Sequence, residues 1–452
     1  MPDIKRLLVI NRGEIAVRIV RAAKEMGITA IAVYSDADES SLAVQLADQA
    51  VHIGGAHARK SYLNADALIA AAKQSSADAV HPGYGFLSEN AQFARAVVDA
   101  GLIWVGPDAD TIDRMGHKTQ AISTAKVAGV PVVPGSEGLV ASADEALRAV
   151  ATVGYPVLIK AAAGGGGRGI RVATNDAELV AGMAAARQEA EAAFGDGGMY
   201  LERFIAKARH IEVQVLGDGT DAVHFFERDC SLQRRRQKIW EEAPAAILDE
   251  DTRQHLCSSA VDLARSVGYR GAGTIEFLYD QATREYFFIE MNTRIQVEHP
   301  ITEEICGVDL IQAMITVAQG DRLPMRQEDI ARRGHAIEVR VNAEDPTQNF
   351  MPSPETIDGL RWPSGPGVRI DTMAYDGYKI PPFYDSMIGK LIVWAPDRAA
   401  ALARLRRALG ETRLDGPKTT LPFFLTLLEQ DDVVGNDFHT TWVEEWLEKR
   451  ES

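Results

Sequence analysis

No run of apolar residues in the 452-residue chain approaches the about 20 needed to span a bilayer, which excludes a transmembrane helix. The first apolar stretch, Leu7-Leu8-Val9-Ile10, stops at Asn11-Arg12, too short for a secretory signal core, and it reads as a β-strand. Cysteine is scarce. Cys230, Cys257 and Cys306 are odd in number and far apart, so they form neither a disulfide framework nor a CxxC metal site, and a reducing cytoplasm is the expected compartment. Positive charge is in deficit: 48 Lys and Arg against 64 Asp and Glu leave a net charge of −16. So acidic a chain is unsuited to wrapping nucleic acid or lying on an anionic membrane, though local basic pockets for anions remain open to it. The G-x-x-x-x-G-K-[ST] phosphate loop is also missing. Apolar residues (46%) and charged residues (25%) are present in ordinary globular proportion, which excludes disorder, and the length suggests about three domains.

The first stretch is an α/β pattern. Leu7–Ile10 precedes a helical period of Ile15, Ala16, Ile19, Val20 and Ala23, and short strand-like runs follow at 30–34, 50–53, 79–81 and 103–105. Alternating strands and helices predict a parallel, doubly wound sheet with ligands at the carboxyl ends of its strands. The loops there are Asn11-Arg12-Gly13-Glu14 and His81-Pro82-Gly83-Tyr84-Gly85-Phe86, residues that also serve as plain turn punctuation.

A strand at 156–160 runs into a glycine-rich stretch, 164–169, and then a second β-like run at 170–173. Gly164, Gly166 and Gly169 satisfy G-x-G-x-x-G, but a dinucleotide fingerprint needs a helix after the glycines, and none is predicted. A strand–glycine–strand hairpin that folds its backbone N–H groups over phosphates is expected instead, with Lys160 at its base.

Two further strands carry acids among large apolar residues: Glu276 within 273–279 and Glu290 within 286–292. A buried carboxylate is costly unless paired or metal-bound. Glu290 and Asn292 share a face of their strand, and Glu276 is expected opposite them, a hard oxygen set suited to Mg²⁺. Arg294, Gln296 and Glu298 continue the same parity and, if the segment stays extended, line one wall able to hold and deprotonate a small planar anion. A mixed-charge loop is the plainer reading of that stretch. The basic run 234–238 is expected to line an anion site or form a solvated face.

Taken together, Asn11–Ala16, His81–Asn90, the glycine loop, Glu227–Ser231, Glu290–Pro300 and Tyr384–Lys390 resemble biotin carboxylase, the ATP-grasp component of biotin-dependent carboxylases. The resemblance covers nearly the whole chain. It implies a Rossmann-like domain at 1–115, an ATP-grasp domain at 116–320 with a mobile lid near 131–203, and a mixed α/β C-terminal domain at 335–446. In the last, 387–394 reads as a strand, and Ala399, Leu402, Leu405 and Leu409 mark an amphipathic helix.

The resemblance also implies roles. Lys118, Lys160, Gly166, Gly167, Glu202, Arg203, Phe204, Ile205, His210 and Gln233 would hold ATP. Glu276, Glu290 and Asn292 would bind two Mg²⁺ or Mn²⁺ ions. Lys238, Arg294, Gln296 and Val297 would hold bicarbonate, and Glu298 would be the base. Arg340 would stabilise the biotin enolate and Tyr84 would meet the ring, although spacing alone would make Arg340 a surface residue paired with Glu338. Arg236 stands where the family commonly has His, and the glycine run is one residue shorter than in some relatives.

The implied reaction is ATP, bicarbonate and biotin giving ADP, phosphate and N-carboxybiotin through carboxyphosphate, as the first half-reaction of a carboxylase such as acetyl-CoA carboxylase. Met-Lys-Met is absent, so the biotin is expected on a separate carrier protein, with a carboxyltransferase subunit and a homodimer as further partners. A different ATP-grasp ligase and a silent nucleotide sensor are the alternatives.

Overall fold

The strand Arg6–Val9 is the centre of a five-stranded parallel sheet. It pairs with Thr29–Tyr34 on one side and Ala79–His81 on the other, and Gln49–His52 and Ile103–Trp104 form the edges. The helix Gly13–Glu25 buries Ile15, Ala16, Ile19, Val20 and Ala23, the face its spacing predicts. Glu14 is buried in its first turn, where a helix N-terminus favours negative charge. In this computed structural model residues 3–136, 138–161, 171–194 and 198–451 are described. The expected lid loop, Gly166 and Gly167 included, lies outside them. The chain forms two compact units.

The first unit comprises Met1–Val130, Arg209–Leu278 and Glu290–Ser452. Besides the parallel sheet it carries most of an eight-stranded sheet. The order across it is Tyr286–Asn292, Arg270–Asp280, Ala208–Asp218, Ala222–Arg234, Gln237–Ala243, His335–Asn342, Met387–Ala395, Val368–Thr372. The expected boundary between central and C-terminal domains therefore falls between strands of one sheet: Gln237–Ala243 pairs with His335–Asn342, setting Trp240 opposite Val339 and Glu241 opposite Glu338. The helix Arg398–Glu411 buries Leu402, Leu405 and Leu409 as spaced, together with Ala401 and Ala408. Ala399 is exposed instead of buried. It lies about 120° around the helix from Leu405, outside the buried arc.

The second unit comprises Pro131–Ala208 and Tyr279–Ile289. Its antiparallel sheet runs Arg171–Ala173, Val157–Ala161, Met199–Arg203, so the strands flanking the glycine run do pair as a hairpin. Val157, Ile159, Ala173 and Leu201 pack with Ala146 and Val150 of the helix Ala143–Val153 and with Leu179 and Met183 of Asp176–Phe194.

Candidate active site

One face of the eight-stranded sheet is polar where a core face would be apolar. Residues two apart on a strand share a face, so His210, Glu212 and Gln214 point together from Ala208–Asp218. Arg228, paired in register with Glu212, meets them from the next strand. Lys238 and Glu241 have opposite parity and would face apart on a regular strand. The register steps from Leu232 opposite Trp240 to Gln233 opposite Lys238, leaving Ile239 as an extra residue. A bulge of this kind re-aims side chains, and both residues join one cluster.

Lys238 is the hub. Its ammonium donates to Glu212, to Glu276 at 2.9 Å and to Glu298 at 2.7 Å. Glu276 also accepts from Asn292 at 2.8 Å and Gln296 at 2.9 Å, and His210 Nε2 stands 3.1 Å from its other oxygen. Arg340 is not the surface partner of Glu338 that spacing alone suggests. Its Nε donates to Glu241 at 2.7 Å and its Nη2 to Glu298 at 3.0 Å, while both Glu338 oxygens are buried without a hydrogen bond. Arg228, fully buried, donates to Glu212 at 2.6 Å, Gln214 at 2.8 Å, Gln296 at 2.9 Å and Thr302 at 3.0 Å.

The chain leaves extended conformation after Asn292, so no single strand wall carries Arg294, Gln296 and Glu298. A turn delivers them to the cluster instead, with Glu298 at the N-terminal boundary of the helix His299–Cys306. The Arg294 guanidinium pairs with Glu89 at 2.8 Å and Asn292 Oδ1 at 3.0 Å. The Val297 carbonyl accepts from Lys390 at 2.6 Å. Tyr84 is half-buried and donates to Glu14. Gln233, beside Lys238 in register, donates to the Cys230 carbonyl, and Lys118 is exposed at the start of the helix Lys118–Val127. The basic run divides: Arg234 ends a strand, and Arg235 and Arg236 form an exposed turn with positive φ.

In the second unit Lys160 pairs with Glu202 across neighbouring strands. Arg203 pairs with Glu285 at 3.0 Å and Asp280 at 3.3 Å, and half-buried Phe204 and Ile205 follow.

Burial would raise the Glu276 carboxyl, but Lys238 and His210 outweigh it and hold it well below its ordinary value. Glu298 is likewise lowered against burial, chiefly by Lys238. Burial lifts Glu241 to about 7, opposed by Arg340. Burial would lower His210, but Glu276 carries it up to about 9 from 6.5. The stability this imidazolium contributes is complete below about pH 6.5 and is lost as pH rises through about 9. In metal-free buffer the unfolding free energy of the wild type should fall over that interval by about 1–3 kcal/mol more than that of His210→Gln. Parallel curves would refute the ion pair.

Sequence reasoning missed Glu212, Glu241, Glu89 and the anchoring role of Arg228. The signal for Glu212 and Glu241 was the one used for Glu276, an acid inside an apolar strand. Among the described residues, the His, Cys and acid groups close enough to share a cation are His210–Glu212–Glu276 and Glu212–Cys230–Glu298. The Lys238 ammonium already bonds to the three carboxylates of these two groups. Glu290 belongs to neither. It is exposed, and its carboxyl is raised by partial desolvation and then by the charge of Glu276.

Family models match along the chain: "Biotin carboxylase, N-terminal domain" over residues 3–112, "Carbamoyl-phosphate synthase L chain, ATP binding domain" over 117–326, and "Biotin carboxylase C-terminal domain" over 338–445. The chain is 51% identical to biotin carboxylase 1 of Bacillus subtilis over 442 residues, 98% of each chain. A Campylobacter jejuni biotin carboxylase–βγ-ATP complex superposes with a TM-score of 0.89 at 48% identity, covering 98% of this chain and 99% of that one. The biotin carboxylase domain dimer of Hydrogenobacter thermophilus 2-oxoglutarate carboxylase, in complex with MgADP, ADP and bicarbonate, gives 0.88 at 46% identity, covering 98% of each. Fold and family matches thus define an ATP-dependent ligase of the ATP-grasp class. The chain belongs to the biotin carboxylase family, whose members use ATP, Mg²⁺ or Mn²⁺ and bicarbonate to carboxylate carrier-bound biotin, the first half-reaction of biotin-dependent carboxylases. It is a subunit that works with a carrier protein. No helix among the described residues is long and apolar enough to cross a membrane.

Proposed function

We propose that Lys238, Arg294, Gln296 and the Val297 backbone hold bicarbonate in this chain, that Glu298 takes its proton, and that Arg340 holds the oxygen of the biotin enolate. The observation that carries this reading is Glu298 bonded to both cations, Lys238 at 2.7 Å and Arg340 at 3.0 Å. Held so, Glu298 is ionised at neutral pH but weakly basic. Substrate oxygens entering between the carboxylate and its cations take over those hydrogen bonds. Glu298 then gains basicity as the anion arrives, and a base is most effective when its pKa approaches the working pH. The bicarbonate carbon is a poor electrophile and needs a leaving group before the biotin nitrogen can take it. Transfer of the γ-phosphoryl group to bicarbonate gives carboxyphosphate, and Lys238 with Arg294 offsets the developing charge.

Lys118, Lys160, Gly166, Gly167, Glu202, Arg203, Phe204, Ile205, His210 and Gln233 are the proposed nucleotide contacts, each carried over from the family motif it matches. Glu276, Glu290 and Asn292 fit a hard divalent cation. Two carboxylates and an amide stand on paired strands, Asn292 Nδ2 donates to Glu276 at 2.8 Å so that the two side chains are adjacent, and the like charge of Glu276 on Glu290 favours a counterion there. Bound there, Mg²⁺ or Mn²⁺ would neutralise the triphosphate. Tyr84 meets the biotin ring. The working partners are a biotin carboxyl carrier protein, a carboxyltransferase and a second copy of this chain, the last supported by the Hydrogenobacter dimer. A cytoplasmic location suits the acidic chain and its free cysteines.

ADP release by the full chain with Mg²⁺ and bicarbonate tests this reading. Free biotin should stimulate it and a biotinylated carrier domain should stimulate it more; absence of stimulation by either would overturn it. Glu290→Gln should lose at least about tenfold in turnover at saturating Mg²⁺. Near-normal turnover would remove Glu290 from the metal set.

A further inference from the structure

Residues of three sequence motifs, Asn11–Ala16, His81–Asn90 and Tyr384–Lys390, meet inside the first unit. From the N-terminal motif, Asn11 Nδ2 donates to the carbonyls of Pro82 at 2.6 Å and Tyr84 at 2.7 Å, clamping the His81–Asn90 loop. The clamp is tight: Gly83 has φ +64°, and a Cβ there would lie 3.1 Å from both Asn11 Nδ2 and Ile15 Cγ1. Glu14 accepts the Tyr84 hydroxyl on Oε1, and Lys390, from the C-terminal motif, places Nζ 3.1 Å from that same oxygen. The Lys390 side chain has no exposure to solvent, and its ammonium also donates to the Val297 carbonyl at 2.6 Å. An unbroken chain of buried contacts thus runs Tyr84–Glu14–Lys390–Val297.

An ammonium in such a place is costly and needs a reason. Glu14, Glu338 and Asp371 favour its charged form against burial, although burial also pushes the Glu14 and Glu338 carboxyls above their ordinary value, and Arg369 and His299 face the same region. Asp371 is opposite Lys390 in the sheet register. A Lys390 of this kind could serve the fold alone, but its uncharged acceptor is in the reaction turn. Val297 lies between Gln296 and Glu298, so the direction of its carbonyl sets the peptide plane from which the Glu298 side chain departs. At the other end of the chain of contacts, Glu14 fixes the Tyr84 phenol and with it the ring.

We propose that Lys390 and Glu14 are positioning residues for biotin carboxylation. Lys390 holds the Val297 carbonyl so that Glu298 meets Lys238 and Arg340, and Glu14 couples that turn to Tyr84, so the bicarbonate end and the biotin end of the site are set by one buried ion pair. This rests on the roles proposed above for Glu298 and Tyr84. Neither residue touches substrate; each acts by holding another within the fraction of an ångström that reaction geometry tolerates.

Glu14→Gln keeps shape and removes the charge, and Lys390→Met keeps length and removes the donor. Both are assayed in the full chain for kcat, for KM of bicarbonate and biotin, for ADP affinity by calorimetry and for thermal midpoint. The expected result is a fall of at least about tenfold in kcat with ADP affinity unchanged within about twofold. Turnover within about twofold of wild type in both variants would overturn the proposal. So would a Glu14→Gln chain whose ADP affinity and thermal midpoint fall in step with kcat, because that is loss of fold rather than of position. A wild-type chain without biotin-stimulated turnover would instead overturn the reading of function, and this proposal with it.

Discussion

Replacing Glu298 with glutamine is expected to lower kcat for biotin-dependent ATP cleavage about 10²–10⁴-fold, the range for losing a general base. The amide has the shape of the carboxylate and its oxygen can still accept from Lys238, so the turn after Asn292 should survive. Its NH2 cannot accept from Arg340, which donates to Oε2 in the wild type at 3.0 Å. Lys238 keeps Glu212 and Glu276, and Arg340 keeps Glu241, so neither cation is orphaned. Adenine nucleotide affinity should therefore be close to wild type. The pH profile adds a second readout. Lys238 holds Glu298 below its ordinary value despite burial, so the acid limb of kcat/KM in the wild type should lie below the usual carboxylate range and should vanish in Glu298→Gln. A variant that retains more than about a tenth of wild-type turnover would assign the proton to another group.

Arg228→Met is expected to destabilise the chain by about 3–5 kcal/mol, the cost of removing one partner from a buried ion pair. The guanidinium lies at the junction of three strands, the reaction turn and the helix His299–Cys306. It neutralises Glu212 and satisfies the buried oxygens of Gln214, Gln296 and Thr302. Methionine fills much of the volume and satisfies none of these groups. Glu212 keeps Lys238, which limits the electrostatic loss, so the double variant Arg228→Met/Glu212→Gln should recover part of the stability. Urea unfolding of the isolated chain measures both. A change below about 1 kcal/mol for the single variant would mean that water replaces the guanidinium and that the buried network does not hold the turn.

The sequence made the Rossmann-like half legible because its signals are local. A helix that buries one stripe shows that stripe in its spacing, and Ile15 through Ala23 were read from spacing alone. Ala399 was misread by the same logic: small apolar residues crowd the helix Arg398–Glu411, and composition does not say which of them the sheet covers. In the central strands the signal was chemical. Glu276 stood out because an acid in an apolar strand demands a partner, and Asn292 does face it at 2.8 Å. Glu212 and Glu241 carried the same mark and went unread, since a strand with one acid also suits a half-exposed sheet.

Parity failed in two places where tertiary structure breaks the period of two. Past Asn292 the backbone turns, so Arg294, Gln296 and Glu298 reach the site by a route that alternation does not describe. At Ile239 a bulge inserts one residue and brings Lys238 and Glu241 to a common cluster. The sequence by itself determined the parallel first sheet, the strand pair that carries Glu276 and Asn292, the hairpin strands around the glycine run and the family to which the chain belongs, because each rests on local periodicity or on long ordered motifs. Only the tertiary structure decided that C-terminal strands extend the central sheet, that Arg340 pairs with Glu241 and Glu298 rather than with Glu338, and that Lys390 reaches Val297. Those partners are 42 to 99 residues apart in the chain. They meet because a charged or polar group buried on the large sheet is costly without a partner, and no local pattern records which partner it will take.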